Sequence, residues 1–242
     1  MTDQADIYNY KLIRVRFIIM RKLHHLALSP FCRKVRLVLA EKKLEVELID
    51  EPVWEKRLDF IRFSPSGKVP LLKEGANVFT ESTPICEYLD ESHPIPKLIP
   101  ADKKLRFETR RITSWFDDKF YNEVTKNLLN ERVYKKIFKI GQPDSGAIKE
   151  GLKKIKFHFD YLEWLLEKRN WVAGEKMSLA DFSAAGHISA LDYVGDIDWQ
   201  SKPIIKEWYA KIKSRPAFRN AGLLTDLVPG FVPAGHYSDL DF

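Results

Sequence analysis

Hydrophobic and polar positions follow two rhythms in the first part of the chain and a single rhythm in the rest. From Met20 onward they predict a strand at 21–26, a helix over 30–42, a strand at 45–49 and a helix over 55–63. Two more strands, at 69–73 and 77–80, stand close together before a helix over 82–92. After residue 102 the alternating rhythm is absent. Asp102 to about Phe138 is a long helical pattern carrying Trp115, Phe116 and Phe120, and Ile148 to Lys168 sets Ile155, Phe159, Leu162, Leu165 and Leu166 on one stripe. Further helices fit 202–214 and 217–225.

The punctuation supports these elements. Ser29 can cap a helix with its hydroxyl and Pro30 suits the first helical position. Ser178-Leu179-Ala180-Asp181 forms a capping box, with Met177 and Phe182 spaced for a hydrophobic staple. Helices alternating with strands imply parallel pairing, and two strands in quick succession imply a hairpin. The resulting order is that of a thioredoxin-like α/β domain over 20–93. Pro94, Pro96 and Pro100 prevent continuation of its last helix, so 94–102 is expected to be a linker to an all-α domain over 103–225. Pro229-Gly230 and Pro233 then end regular structure and leave 226–242 as a tail. Residues 1–19 show no clear period. Met20-Arg21-Lys22 stands directly before the first strand, and residues 1–19 are expected to be an extension upstream of a start at Met20, or else a short interaction arm.

Composition narrows the setting. At 242 residues and 45% hydrophobic content the chain supports a substantial core without staples. Its two cysteines, Cys32 and Cys86, are too few for a disulfide framework, and no cleavable secretory signal is recognisable, so a reducing cytoplasm is the expected location. No apolar run reaches bilayer length. The net charge is +6, but the 40 basic and 34 acidic residues are interspersed, which argues against a nucleic-acid surface. No metal-binding Cys/His spacing or phosphate-cradling glycine loop is visible.

The candidate chemistry lies at two strand-to-helix corners and one strand entry. At the Ser29 corner a helix start presents unpaired N–H groups and positive dipole charge, so an anion such as a thiolate would be stabilised there. Ser29 has a plainer use as a cap alone. Pro70 stands at a strand entry, where a cis Val69-Pro70 bond is expected to turn the Val69 backbone outward as an edge able to pair with a peptide. Glu81 and Ser82 precede a helix and could hold a free amino-acid end, Glu81 taking the ammonium and Ser82 the carboxylate, although an ordinary capped helix would use the same residues. Cys32, in the first turn of its helix, is expected to be structural, as is Cys86.

The Ser29 corner, Gly67-Lys68-Val69-Pro70, Glu81-Ser82 and the Ser178 capping box stand in one order over residues 20–225. In this the chain resembles the cytosolic glutathione transferase superfamily. That resemblance implies a homodimer with a glutathione site on the first domain and no metal. Ser29 would hydrogen-bond the thiolate, Val69 and Pro70 would form the backbone edge, and Glu81 and Ser82 would hold the γ-glutamyl end. Leu28 to Arg36, Glu51-Pro52-Val53-Trp54-Glu55-Lys56-Arg57, Trp115-Phe116-Asp117-Asp118-Lys119-Phe120 and the terminal His236 to Phe242 are further similar to transferase-like division proteins that bind the tubulin-like protein FtsZ. This second resemblance implies a scaffold that bundles or curves FtsZ filaments at the division site. Tyr237, Asp239, Leu240 and Phe242 are then candidate partner contacts, an acidic and aromatic peptide suited to extended recognition. The alternative expectation is an enzyme that conjugates or reduces electrophiles with glutathione through Ser29. A tail that folds back over its own helical domain would be the plain use of the same residues.

Overall fold

A computed structural model of the chain describes residues 20–239. The expectations on residues 1–19, and on Leu240 and Phe242, lie outside the described residues. Strand β1 (Arg21–His25) leads through a short turn into α1 (Pro30–Glu41), whose Ser29 cap accepts the Cys32 N–H. Strand β2 (Glu47–Asp50), α2 (Leu58–Ile61), β3 (Leu71–Glu74), β4 (Asn77–Thr80) and α3 (Ser82–Ser92) complete the first layer. The sheet order is β2-β1-β3-β4, with β1 parallel to β2 and antiparallel to β3, and β3 and β4 form the hairpin. Leu23 on β1 stands beside Leu48 on one side and Leu72 on the other. This is the expected thioredoxin-like α/β arrangement, and an all-helical layer packs on it.

Two elements are shorter than the sequence predicts. The helix expected over 55–63 becomes a 3-10 turn at Val53–Glu55 and the single turn of α2, because Lys56 takes a left-handed conformation at φ 49° and interrupts it. The helix expected over 217–225 is confined to Pro216–Asn220, beyond which Gly222 turns the chain at φ 74°.

The helical layer begins with α4 (Lys103–Ser114), capped by Asp102. The helix continues without a break through a π-helical stretch at Trp115–Thr125, α5 (Lys126–Leu129), a second π-helical stretch at Asn130–Tyr134, and α6 (Lys135–Phe138). After a turn come α7 (Ser145–Leu166), α8 (Leu179–Tyr193), α9 (Pro203–Lys213) and α10 (Pro216–Asn220). The capping box at α8 is present, and its Asp181 also accepts from the Val172 N–H and the Trp208 indole, so one buried carboxylate ties three segments together.

The main apolar core crosses both layers, from Leu23, Val35, Val38 and Ile85 to Ile112, Phe182, Ala185 and Leu191, and a smaller cluster gathers Leu28, Val133, Tyr193, Val228 and Tyr237. Helices α1 and α8 (Leu179–Tyr193) approach closely, and a Cβ on Gly186 would meet the Pro30 carbonyl oxygen at 2.6 Å. Only glycine allows that contact, and the contact holds the N-terminal turn of α1 against the helical layer.

Candidate functional site

A cleft of about 570 Å³ lies where the two layers meet, and it gathers every described residue expected around Ser29. Ser29, Val69, Pro70, Glu81 and Ser82 all line it. The Ser29 hydroxyl accepts from the Cys32 N–H at 3.4 Å. Next to it, Ser64 and Gly67 build the turn that delivers Val69: the Gly67 N–H bonds the Ser64 carbonyl at 2.8 Å, and the Ser64 hydroxyl donates to the Lys68 carbonyl at 3.0 Å. The Val69-Pro70 bond is cis. Glu81 takes φ 66° and ψ 124°, a conformation L-residues seldom adopt, to bring the start of α3 into the same space. Its carboxylate is reached by the Ser66 hydroxyl at 3.4 Å.

The starts of α1 and α3 therefore open onto one cavity, and their positive dipole ends favour anionic groups there. Cys32 is not the nucleophile of this site: it is fully buried, and burial pushes its thiol up to about 11. Burial likewise pushes Cys86 up to about 12.

The far wall comes from the long helix, and sequence reasoning missed most of it. Asp117, Tyr121, Thr125 and Leu129 face the cleft in one row, and Asn122, Lys126, Asn130, Tyr134 and Phe138 in another. Each row repeats every fourth residue. An ordinary α-helix turns about 100° per residue, so such rows would drift off the cleft by about 40° at every step. In the π-helical stretches the Lys126 N–H bonds Tyr121 and the Lys135 N–H bonds Asn130, each five residues back, and the slower winding keeps both rows on one face. The period-four spacing was the available signal. At the end of the row Phe138 stacks on Trp54 with ring centroids 4.6 Å apart, joining the helical layer to the β2–α2 connection across the cleft.

Beneath the floor runs a buried polar network. Asp117 accepts from the Lys34 ammonium, the Thr83 hydroxyl at 2.8 Å and the Ser183 hydroxyl at 2.7 Å. Burial works against an ionised Asp117, but Lys34 and His187 outweigh it and hold the carboxyl well below the usual carboxylate range. Burial in turn lowers His187, whose Nδ1 pairs with the Thr125 hydroxyl at 2.9 Å. Four elements, α1, α3, the π-helical stretch and α8, are joined at this one carboxylate.

The tail departs from the expectation that all of 236–242 is an exposed peptide. Tyr237 is 1% exposed, so its ring is not a surface contact. Its hydroxyl accepts from the fully buried Arg33 at 2.8 Å and donates to the Leu223 carbonyl at 2.7 Å. Nearby, His236 bonds the buried Asp192 at 2.9 Å, and the Ala234 N–H bonds the Tyr193 carbonyl. This part of the tail folds back, as the plainer expectation had it, whereas Ser238 and Asp239 are exposed. The cause is a pair of cations on α1, Arg33 and Arg36, both buried and both needing partners on this side of the helix.

A thioredoxin-like layer on a helical layer, with a cleft at the starts of α1 and α3, is the architecture of the glutathione transferases. Family models agree: one for the glutathione S-transferase N-terminal domain matches residues 23–97, and one for the C-terminal domain matches 142–220. The chain belongs to the glutathione S-transferase family. It is 43% identical over 226 residues to FtsZ-localized protein A of Caulobacter vibrioides, covering 92% of this chain and 98% of that one. The solved structure of FzlA from C. crescentus matches with a TM-score of 0.88 at 42% identity over 93% of this chain and all of that one. A glutathione S-transferase structure from Rhodospirillum rubrum matches equally well, with a TM-score of 0.88 at 44% identity over 92% of this chain and all of that one.

Proposed function

We propose that this chain is a division protein of transferase fold that binds FtsZ filaments as a homodimer, in the bacterial cytoplasm at the division site. The observation that carries this reading is the 43% identity to FtsZ-localized protein A along 98% of that protein's length. Among the described residues no helix is long and apolar enough to cross a membrane, and no cluster of residues could hold a metal ion. Asp239 is the described tail residue offered to the filament, with Leu240 and Phe242 beside it in sequence and Tyr237 as an internal anchor. For the dimer, α4 and α7 offer exposed aromatic side chains: Phe107, Phe157 and Trp164 are each about half exposed or more. Two copies joined there would carry two tails, so weak contacts could bridge or bend filaments. Co-sedimentation with FtsZ polymers is the test. The wild type should pellet with the polymer and Asp239→Lys should stay in the supernatant while folding normally; wild-type protein that never pellets overturns the reading.

A second reading is favoured by the cleft, which brings Ser29, Val69, Pro70, Glu81 and Ser82 together. Glutathione fits this donor set. The Ser29 hydroxyl would donate to the thiolate, helped by the dipole of α1. The Val69 backbone would pair with the cysteinyl unit, the start of α3 and Ser82 would take the γ-glutamyl carboxylate, and Glu81 would take the ammonium. Calorimetric titration with glutathione decides it, since a cleft that gives no binding heat leaves Ser29 a cap.

A further inference from the structure

We infer that Arg33 is the positioning residue of the partner-binding tail: by clamping Tyr237 from the first layer, it fixes where Asp239 leaves the surface and makes the tail a rigid epitope instead of a loose peptide. This rests on the FtsZ reading above for its partner, but the clamp stands on its own geometry.

Arg33 is 0% exposed, and its guanidinium is shared among four acceptors drawn from both layers. Nε donates to the Ala27 carbonyl at 2.7 Å, Nη1 to the Ser189 hydroxyl at 3.0 Å and the Tyr237 hydroxyl at 2.8 Å, and Nη2 to Asp226 at 3.2 Å. Asp226 is also the carboxylate partner of Arg36, whose Nη1 and Nη2 donate to it at 3.0 and 2.8 Å. Two buried cations thus divide one anion, and the lone pairs of the Tyr237 hydroxyl make up part of the shortfall. A buried guanidinium left short of acceptors is heavily penalised, so Tyr237 is held firmly in place.

The next residues have little freedom. The Tyr237 N–H bonds the Ala234 carbonyl at 2.8 Å, its ring packs edge-on against Tyr193 at 5.1 Å, and the Asp239 N–H bonds the His236 carbonyl at 3.0 Å. Asp239 is exposed two residues beyond a fully buried anchor. A contact residue ordered before binding loses less conformational entropy when the partner arrives, which favours affinity without any added contact.

Two variants test this in the full-length chain. Inserting Gly-Gly between Ser238 and Asp239 leaves the clamp intact and shifts only the epitope; FtsZ affinity should fall about tenfold with the melting temperature unchanged, whereas a loose peptide would bind as before. Tyr237→Phe keeps the buried ring and removes the bond from Arg33; carboxypeptidase Y should then trim through Tyr237's position at least tenfold faster than in wild type, and FtsZ affinity should drop about threefold to tenfold. Unchanged trimming together with unchanged binding of the insertion variant overturns the proposal. If wild-type protein does not pellet with FtsZ, the partner assignment and the epitope fail together, while trimming that depends on the Tyr237 hydroxyl still supports the clamp.

Discussion

Arg33 and Lys34 are neighbours on α1, both buried, and they serve opposite sides of the molecule. Lys34 reaches Asp117 and Thr83 under the cleft, so its partners are a carboxylate and a hydroxyl beside the starts of other helices. Arg33 reaches Tyr237 and Asp226 near the other end of the chain. The two sides differ in how charge balances. Lys34 has its own carboxylate, whereas Arg33 and Arg36 share one and depend on neutral oxygens for the rest. One helix therefore carries a balanced ion pair toward the cleft and an under-balanced one toward the tail.

The most damaging way to break the cleft side is Asp117→Ala, which leaves the Lys34 ammonium buried without its anion. A loss of about 3–5 kcal/mol is expected by chemical denaturation, and adding Lys34→Met should return much of it. On the tail side, ending the chain after Gly235 removes Tyr237 and strips an acceptor from Arg33. About 2–4 kcal/mol should be lost, against less than about 0.5 for a chain ending at Asp239. A truncation meant to probe filament binding therefore has to spare Tyr237.

Acid should weaken both sides through their buried histidines. His25 lies among the tail-side charges, and burial, followed by Arg36, lowers it from 6.5 to about 4. The unfolded chain takes up that proton first, so the stability it contributes is full above pH 6.5 and is lost as pH falls toward 4. Melting temperatures should decline across that window and less so in His25→Phe. Asp117, held well below the usual range, keeps its charge there, but His187 beside it is lowered by burial as well, so the cleft side joins the decline through that histidine and not through its carboxylate. The smallest effect is expected for Ser29→Ala, whose cap bond is long at 3.4 Å. About 0.5–1 kcal/mol should be lost. If glutathione is turned over, conjugation should fall roughly tenfold to a hundredfold, because the lost bond is to a thiolate.

The same contrast explains what could be read from the sequence. Ser29, Pro30, Pro70 and the Ser178 box act on backbone within a few residues of themselves, so local chemistry marked them and the topology followed, whereas α3 starts after Glu81 with no side-chain cap. Asp117 stood inside a marked stretch, but its role depends on Lys34, 83 positions away. Arg33 and Tyr237 are 204 positions apart, and no periodicity links them. Tyr237 looked like an exposed aromatic because the cation that needed it was hidden in a helix whose apolar face had already been accounted for. The shortened α2 and the π-helical winding have a similar cause, since a left-handed Lys56 and bonds reaching five residues back leave no compositional mark.

The wall of the cleft is also a matter of phase. With ordinary winding, the step from Asn122 to Phe138 would accumulate about 160° of rotation and carry the last aromatic ring to the opposite side of the rod. Removing one residue from Trp115–Thr125 invites the helix to rewind to its normal pitch. Tyr134 and Phe138 would then swing away from the cleft, the stack on Trp54 would part, and the cavity would be left without its far gatepost. The molecule closes that end by retarding a screw.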